Sequence, residues 1–206
     1  MKRLYLLRHG QTEFNVKKLV QGRCDSPLTD LGRKQAGMAA AWLKGHGIIP
    51  DKVVSSPLGR AMDTASLVAT KLLDPGAAVE PCEGIIERSY GTFEEGPHDA
   101  LPTDVWDPGE DLVPFGGEGS HVLQERMVGT LTNLMGSEGI ETLLAVSHGS
   151  ASRQFIKAAA PEGFELPTKL PNCAIMIFDF DDAREEDDAP QCKFTLQQIV
   201  DPQQSH

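Results

Sequence analysis

Five side chains that can bind anions, attack an electrophile or exchange protons follow predicted strands closely: Arg8, His9, Arg60, Glu87 and His148. Guanidinium groups bind the oxygens of a phosphoryl group through paired hydrogen bonds, and a neutral imidazole can attack phosphorus. The second imidazole can be a charged donor to those oxygens. A carboxylic acid such as Glu87 can protonate the departing oxygen and later take a proton from water. This combination indicates phosphoryl transfer, for which we expect neither a metal nor another cofactor.

The elements that must position these side chains alternate along the chain. Continuous apolar runs predict strands buried on both faces of a sheet, and apolar residues at helical spacing predict the helices between them. The predicted strands cover residues 4–7, 52–55, 78–81, 84–87, 142–147, 174–180 and 193–200, and the predicted helices cover residues 31–43, 58–72, 123–134 and 149–160. We therefore expect an α/β three-layer sandwich with a mostly parallel central sheet, helices on both faces and an antiparallel terminal hairpin. Ligands of such sheets bind at the carboxyl ends of the strands, so the five side chains should meet at one edge.

Capping residues indicate where two of these helices begin. Thr29 or Asp30 can accept a hydrogen bond from the first free N–H groups of the helix over residues 31–43. Ser56, followed by Pro57 at the first helical position, predicts the start of the helix over residues 58–72.

Residues 89–125 differ sharply from the rest of the chain. They contain nine carboxylates, four prolines and six glycines, but no lysine or arginine. Long polar segments of this kind inside a domain are usually functional or disordered. We take this one as functional and expect one domain over residues 1–206 with a lid at about residues 92–117. Trp106 either covers the pocket or is simply packed within the lid. If the acidic lid covers the pocket, it opposes a second anionic group on the substrate.

The overall composition narrows the partners that we expect. The chain has 206 residues with 40% hydrophobic residues and a net charge of −11. That charge repels nucleic acid and anionic membranes, so the expected partner is a small substrate and no membrane or nucleic acid. The four cysteines lack metal-ligand spacing, and the run of acidic residues over 179–188 predicts a solvated hairpin turn. We expect a cytoplasmic protein, and the sequence leaves its oligomeric state open.

Short sequence strings resemble the motifs of a known family. The string Leu7-Arg8-His9-Gly10-Gln11-Thr12-Glu13-Phe14-Asn15 resembles the R-H-G-x-T-x-x-N signature of the histidine phosphatase, or phosphoglycerate mutase-like, superfamily. Further similar segments follow in the family order over nearly the whole chain, at residues 21–29, 55–65, 87–91, 116–118, 147–149 and 172.

The resemblance implies roles for the residues found above. It implies a phosphohistidine intermediate on His9, a proton donor in Glu87, and phosphoryl binding by Arg8, Arg60 and His148. It also implies a set of pocket positions, which are Asn15, Gln21, Gly22, Arg23 and Gly149. Arg88 either contacts the substrate or pairs with the acidic lid.

Three functions are compatible with these residues. The expected one is a phosphomonoester hydrolase that acts on small phosphorylated metabolites with a neutral or cationic leaving group. A 2,3-bisphosphoglycerate-dependent phosphoglycerate mutase is the first alternative: the stretch from Glu87 to Gly91 is similar to the mutases, but the paired arginines that they carry after it are absent, and Gln21 replaces their threonine. A catalytically silent phosphoester-binding module is the second alternative.

Overall fold

The fold comprises one sheet and five α-helices in the computed structural model, which describes residues 1–182 and 192–204. The strands are β1 (Lys2–Arg8), β2 (Lys52–Ser55), β3 (Glu80–Pro81), β4 (Thr142–Ser147), β5 (Ile175–Phe180) and β6 (Phe194–Val200). The helices are α1 (Glu13–Lys17), α2 (Asp30–Gly45), α3 (Gly59–Leu72), α4 (Ser120–Met135) and α5 (Gly149–Ala159).

The sheet places the two histidine-bearing strand ends side by side. Its strand order is β3-β2-β4-β1-β5-β6. The first four strands are parallel to one another, β5 is antiparallel to β1, and β6 is antiparallel to β5. Arg8 at the end of β1 is paired in register with Ser147 at the end of β4. The next residues of both strands, His9 and His148, therefore leave the sheet at the same level.

Helices cover both faces of the sheet, which confirms the predicted α/β sandwich. Leu4 and Leu6 of β1 pack in one hydrophobic core with α4 and α5. Tyr5 and Leu7 pack in a second core with α2 and α3. Because both faces are buried, the strand is apolar at consecutive positions and shows no alternation. The terminal hairpin of β5 and β6 is antiparallel as predicted, while its turn over residues 183–191 lies outside the described residues.

Several local expectations are corrected by the structure. Thr29 caps α2 as expected, since its hydroxyl accepts the Gly32 N–H at 3.0 Å. Ser56 does not cap α3, which begins at Gly59 with Leu58 in the capping position and no side-chain cap. The strand expected over residues 84–87 is a 3₁₀ turn over Glu83–Ile85 that leads directly into Glu87. Helix α1 was not predicted, because its five residues are too few to show a periodic pattern.

The segment expected to be a lid is a chain of short turns anchored by its own apolar cluster. Three 3₁₀ turns interrupt it, at Gly91–Phe93, His98–Ala100 and Val113–Phe115. A small buried cluster ties the segment to the loop after α1; its members are Val20, Tyr90, Leu101 and Leu112. Among the helices of residues 1–182 and 192–204, none is both long and apolar enough to cross a bilayer.

Candidate active site

A cavity opens at the carboxyl edge of the sheet. Four of the five predicted residues line it, namely Arg8, His9, Arg60 and Glu87. His148 is completely buried beside His9, with 5.2 Å between the two ring centroids, and does not itself line the cavity.

His9 is held in one tautomer with a free ring nitrogen. Its Nδ1 lies 2.7 Å from the carbonyl oxygen of Gly10, an acceptor, so Nδ1 carries the proton and Nε2 keeps its lone pair. Burial, followed by the positive charges of Arg60 and Arg8, holds the pKa of His9 well below its ordinary value. The imidazole is therefore neutral near pH 7 and can act as a nucleophile.

His148 is also neutral, in contrast to the charged donor expected from the sequence. Burial and the nearby cations, Arg60 first, hold the pKa of His148 well below its ordinary value. Its Nε2 lies 2.7 Å from Ser56 Oγ, which in turn accepts the Leu58 N–H at 3.4 Å. The Ser56 hydroxyl can therefore donate to Nε2, which leaves the proton of His148 on Nδ1. That nitrogen is buried with no hydrogen-bond partner among the described residues.

Arg60 is anchored at its two terminal nitrogens. Its Nη2 donates to the carbonyl oxygen of Gly22 and its Nη1 to that of Cys24, both at 2.7 Å, and Nη1 also contacts Asp25 at 3.2 Å. Its Nε is buried without a partner in the part of the chain that the structure describes. Gly22 has a φ of 53°, a conformation that favours glycine, and this turn aims its carbonyl oxygen at Arg60.

Arg8 lies opposite, with a similar pattern of bonds. Its Nη1 donates to the carbonyl oxygen of Leu170, and its buried Nε has no partner among the described residues. Burial lowers the pKa of Arg8 to about 10, although the Glu87 carboxylate opposes that shift. Arg8 therefore stays charged near pH 7 and contributes a buried positive charge next to His9.

Glu87 is fixed by backbone donors at the beginning of α5. Its Oε1 accepts the N–H groups of Arg88 at 2.9 Å and Ala151 at 2.8 Å, and its Oε2 accepts that of Ser150 at 3.2 Å. The free N–H groups of a helix N-terminus stabilise a carboxylate in this position. Oε2 makes the single, longer bond and is the oxygen more available for proton exchange.

The predicted pocket positions divide into two groups. Asn15, Gln21, Gly22 and Gly149 line the cavity. Arg23 is half exposed outside the lining, where its guanidinium contacts Glu118 at 3.5 Å.

Arg88 does not reach the cavity, which corrects its assignment as a substrate-binding residue. It is fully buried, and its guanidinium donates to Ser150 Oγ, Ser120 Oγ and the carbonyl oxygens of Gly109 and Glu118. Arg88 connects the lid segment to α5, so it lies where the alternative of pairing with the lid placed it. Its partners there are carbonyl and hydroxyl oxygens rather than carboxylates.

The acidic lid does not present its charge to the cavity. None of the nine carboxylates of residues 89–125, all within the described residues, is part of the lining. Glu94 instead accepts backbone N–H groups, Asp107 pairs with Lys157, and Glu118 pairs with Arg126. The expected repulsion of an anionic leaving group from the lid therefore lacks its structural basis.

Residues outside the predicted catalytic and pocket positions complete the cavity. The lid contributes Trp106, for which packing was the alternative, together with Val105 and His98, and the loop after α1 contributes Leu19 and Val20. The serine mistaken for a helix cap, Ser56, contacts His148 instead. Such contacts depend on loop conformation, which periodicity does not report.

The comparisons with known proteins agree with this geometry. The sequence profile of the histidine phosphatase superfamily (branch 1) matches residues 4–188. A broad-specificity phosphatase of Saccharomyces cerevisiae, YOR283W, is 34% identical over 158 residues, covering 75% of this chain and 69% of that protein. A protein of Cronobacter sakazakii named probable phosphoglycerate mutase GpmB is 33% identical over 191 residues, covering 87% and 86%.

A solved structure shows the same fold. A phosphoserine phosphatase mutant of Entamoeba histolytica, in complex with phosphoserine, superposes with a TM-score of 0.74 at 28% identity and covers 98% of both chains. The sheet and the cation-rich cavity at its edge thus define a protein of the phosphoglycerate mutase-like α/β class. More narrowly, the chain belongs to branch 1 of the histidine phosphatase superfamily.

Proposed function

We propose that this protein is a phosphomonoester hydrolase that transfers the phosphoryl group first to His9 and then to water. One observation carries the proposal: buried N–H groups of Arg8, Arg60 and His148, unpartnered among the described residues, are grouped around a neutral imidazole. Buried donors normally have acceptors. A phosphoryl group bound at His9 Nε2 supplies three acceptor oxygens.

In the first step, His9 Nε2 attacks phosphorus while the bond from phosphorus to the leaving oxygen breaks. Glu87, which takes up a proton when the negatively charged phosphoryl group binds beside it, gives that proton to the leaving oxygen, and the product leaves as an alcohol. The two arginines stabilise the negative charge on the transferred group. A unit charge about 4 Å away is worth about 4 kcal/mol at an effective dielectric constant near 20.

In the second step, water attacks the phosphohistidine. Glu87, now a carboxylate, takes the proton from water, the bond between Nε2 and phosphorus breaks, and inorganic phosphate is released. The hydrogen bond from Nδ1 to the Gly10 carbonyl oxygen keeps the leaving nitrogen in the required orientation throughout. The enzyme returns to its starting protonation state.

Release of inorganic phosphate from a panel of phosphomonoesters tests this function. The wild-type protein should hydrolyse aryl and small alkyl phosphates, while His9→Asn should lose at least about a thousandfold in kcat. Asparagine keeps an N–H near the position of Nδ1 but has no nucleophilic nitrogen. Activity that survives in His9→Asn would contradict the covalent route.

The mutase alternative keeps some support from the mutase-named relative and from the mutase-like stretch at Glu87 to Gly91. The guanidinium of Arg88 in that stretch makes hydrogen bonds within the protein. The cations in the cavity lining are Arg8 and Arg60. A bisphosphate needs a second cationic subsite, so hydrolysis fits better. Interconversion of phosphoglycerates in the presence of bisphosphoglycerate, faster than phosphate release, would establish the mutase. Turnover of any phosphomonoester excludes the silent binding module.

We also propose the setting in which the enzyme works. The substrate is a small phosphorylated metabolite whose leaving group is uncharged, because the lining away from the phosphoryl site is mostly apolar or neutral. The chain acts as one catalytic domain with residues 92–117 as its lid. A reducing compartment such as the cytoplasm suits the free thiols of Cys24, Cys82 and Cys173.

A further inference from the structure

The side chain of Trp106 lies directly on the phosphoryl-binding residues. Its ring centroid is 5.0 Å from Cζ of Arg8, a distance at which a guanidinium is attracted to an aromatic face. The ring also covers Gly149, where an added Cβ would lie 2.8 Å from Cζ3 of Trp106. Glycine at position 149 thus permits the close approach of the indole to Arg8.

The next lid residue, Asp107, holds this arrangement against α5. Its Oδ2 contacts Lys157 Nζ at 2.5 Å and Arg153 Nε at 3.9 Å, and its Oδ1 accepts from Gln154 Nε2 at 3.0 Å. Lys157 and Asp107 are partly exposed, so this group of contacts, the Asp107 latch, is open to screening by salt. The latch joins the lid to the same helix whose N-terminus holds Glu87.

The rest of the cavity has a consistent character. Besides the charged and nucleophilic groups, the lining includes Leu19, Val20, Tyr90, Val105 and Trp106. The polar residues of the lining are Asn15, Gln21, His98 and Ser150. An aromatic wall beside a buried cation site accommodates a flat apolar group joined to an anion.

We propose that Trp106 is a specificity-determining residue that packs against the leaving group and selects planar, aryl-type phosphomonoesters, and that Asp107 is the residue that positions it. This inference rests on the proposed function for the location of the phosphoryl group. The selection acts on binding of the leaving group.

Two pairs of ligands measure the selection. Phenyl phosphate and methyl phosphate give the ratio of kcat/KM for a planar and a small leaving group. Phenylphosphonate and methylphosphonate, whose carbon-to-phosphorus bonds resist hydrolysis, give the ratio of Kd by calorimetry. Comparing each ratio between a variant and the wild type cancels the phosphoryl contribution and the different intrinsic reactivities of the two substrates.

Substitution of Trp106 is the direct test. We expect Trp106→Ala to lower the preference for the phenyl ligands by about tenfold in both ratios, and Trp106→Phe, which keeps a flat ring, to stay within about threefold of wild type. An unchanged preference in a folded Trp106→Ala would overturn the proposal. A different result is that the wild-type protein binds phenylphosphonate selectively but hydrolyses neither phosphate. That result would contradict the proposed function, while the role of Trp106 in selecting planar groups would still hold.

Substitution of Asp107 tests the positioning role with a matched control. Asp107→Asn should lower the phenyl preference about threefold, whereas Asp111→Asn removes the same charge from an exposed lid position and should have no effect. Raising salt from about 0.05 M to about 0.5 M should lower the wild-type preference and leave that of Asp107→Asn unchanged. Equal responses of the two aspartate variants would show that the latch does not position Trp106.

Discussion

At the scale of single residues, the site combines two buried arginines with two histidines that the same burial keeps neutral. The pKa of Arg8 falls only to about 10, so it stays charged, whereas those of His9 and His148 fall from a value that is already near neutrality. One environment thus produces fixed cations and an unprotonated nucleophile together. The residue types were predictable from the sequence, but the neutral state of His148 was not, because it depends on burial and on the nearby cations, Arg60 first.

Ser56 should act as a positioning residue for His148. Without its hydroxyl, nothing among the contacts described fixes the proton on Nδ1, so we predict that Ser56→Ala lowers kcat about 10- to 100-fold with little change in KM. Steady-state kinetics with phenyl phosphate measure this. Ser152→Ala is the control, because it removes an equally buried hydroxyl that has no hydrogen-bond partner among the described residues. If both variants lose the same activity, the hydroxyl of Ser56 has no specific role.

The neutral histidines also predict how stability depends on pH. Unfolded histidines bind protons below about pH 6.5, while His9 and His148 in the folded state do not until a much lower pH. The unfolded state therefore gains protons first, and the free energy of unfolding should fall as pH drops below about 6.5. The slope is at most about 1.4 kcal/mol per pH unit for each histidine.

Urea unfolding between about pH 7.5 and 5.5 measures that slope. His148→Gln, which keeps an acceptor near the position of Nε2, should reduce it. His121→Gln, at a histidine with 76% of its side chain exposed, is the variant for comparison. Identical slopes in wild type and His148→Gln would mean that His148 is protonated in the folded protein.

At the scale of elements, the strands and long helices followed from the sequence, and the connecting segments did not. The runs at Leu4 to Leu7 and Thr142 to Ser147 are buried on both faces, so composition alone identifies them. The segment leading to Glu87 was expected to be extended. It is a turn held by side chains from distant positions, Arg126 above all, and such contacts leave no local periodicity.

Arg126 should stabilise the segment that carries Glu87. It donates to the carbonyl oxygens of Gly84 and Ile86 and makes two hydrogen bonds to the buried carboxylate of Glu118. Arg126→Ala leaves these acceptors without their partner, so we predict a loss of about 2–4 kcal/mol in the free energy of unfolding. Urea denaturation measures it against Arg33→Ala, an exposed control on α2. A loss below about 1 kcal/mol would contradict the structural role.

At the scale of the whole molecule, the negative net charge of the chain differs in sign from the charge of the two arginines at the cavity. The chain carries a net charge of −11, yet Arg8 and Arg60 are buried at the site. Much of the lid's acidic charge pairs with backbone N–H groups or with cations elsewhere, such as Lys157 and Arg126. The charge of the lid sequence was therefore a poor guide to substrate charge, because position in the fold decides which charges the substrate meets.

The same arrangement predicts that activity needs no metal ion. The arginines and the N–H of His148 supply the stabilisation that divalent cations give in two-metal phosphatases. Hydrolysis of phenyl phosphate should be unchanged in excess chelator, with inorganic phosphate release as the readout. Loss of activity on chelation that added Mg²⁺ or Zn²⁺ restores would show that the arginines are not sufficient.

The central claim is that His9 carries the phosphoryl group between the two steps. The most direct measurement is intact-protein mass spectrometry after rapid alkaline quenching during turnover, because phosphohistidine is labile in acid, followed by peptide mapping of the modified residue. We predict a protein with one added phosphoryl group on the peptide that contains His9, and no such species in His9→Asn. A phosphoryl group found on another residue would contradict the account. So would an unmodified protein, provided that the phosphohistidine is formed faster than it is hydrolysed under the conditions used.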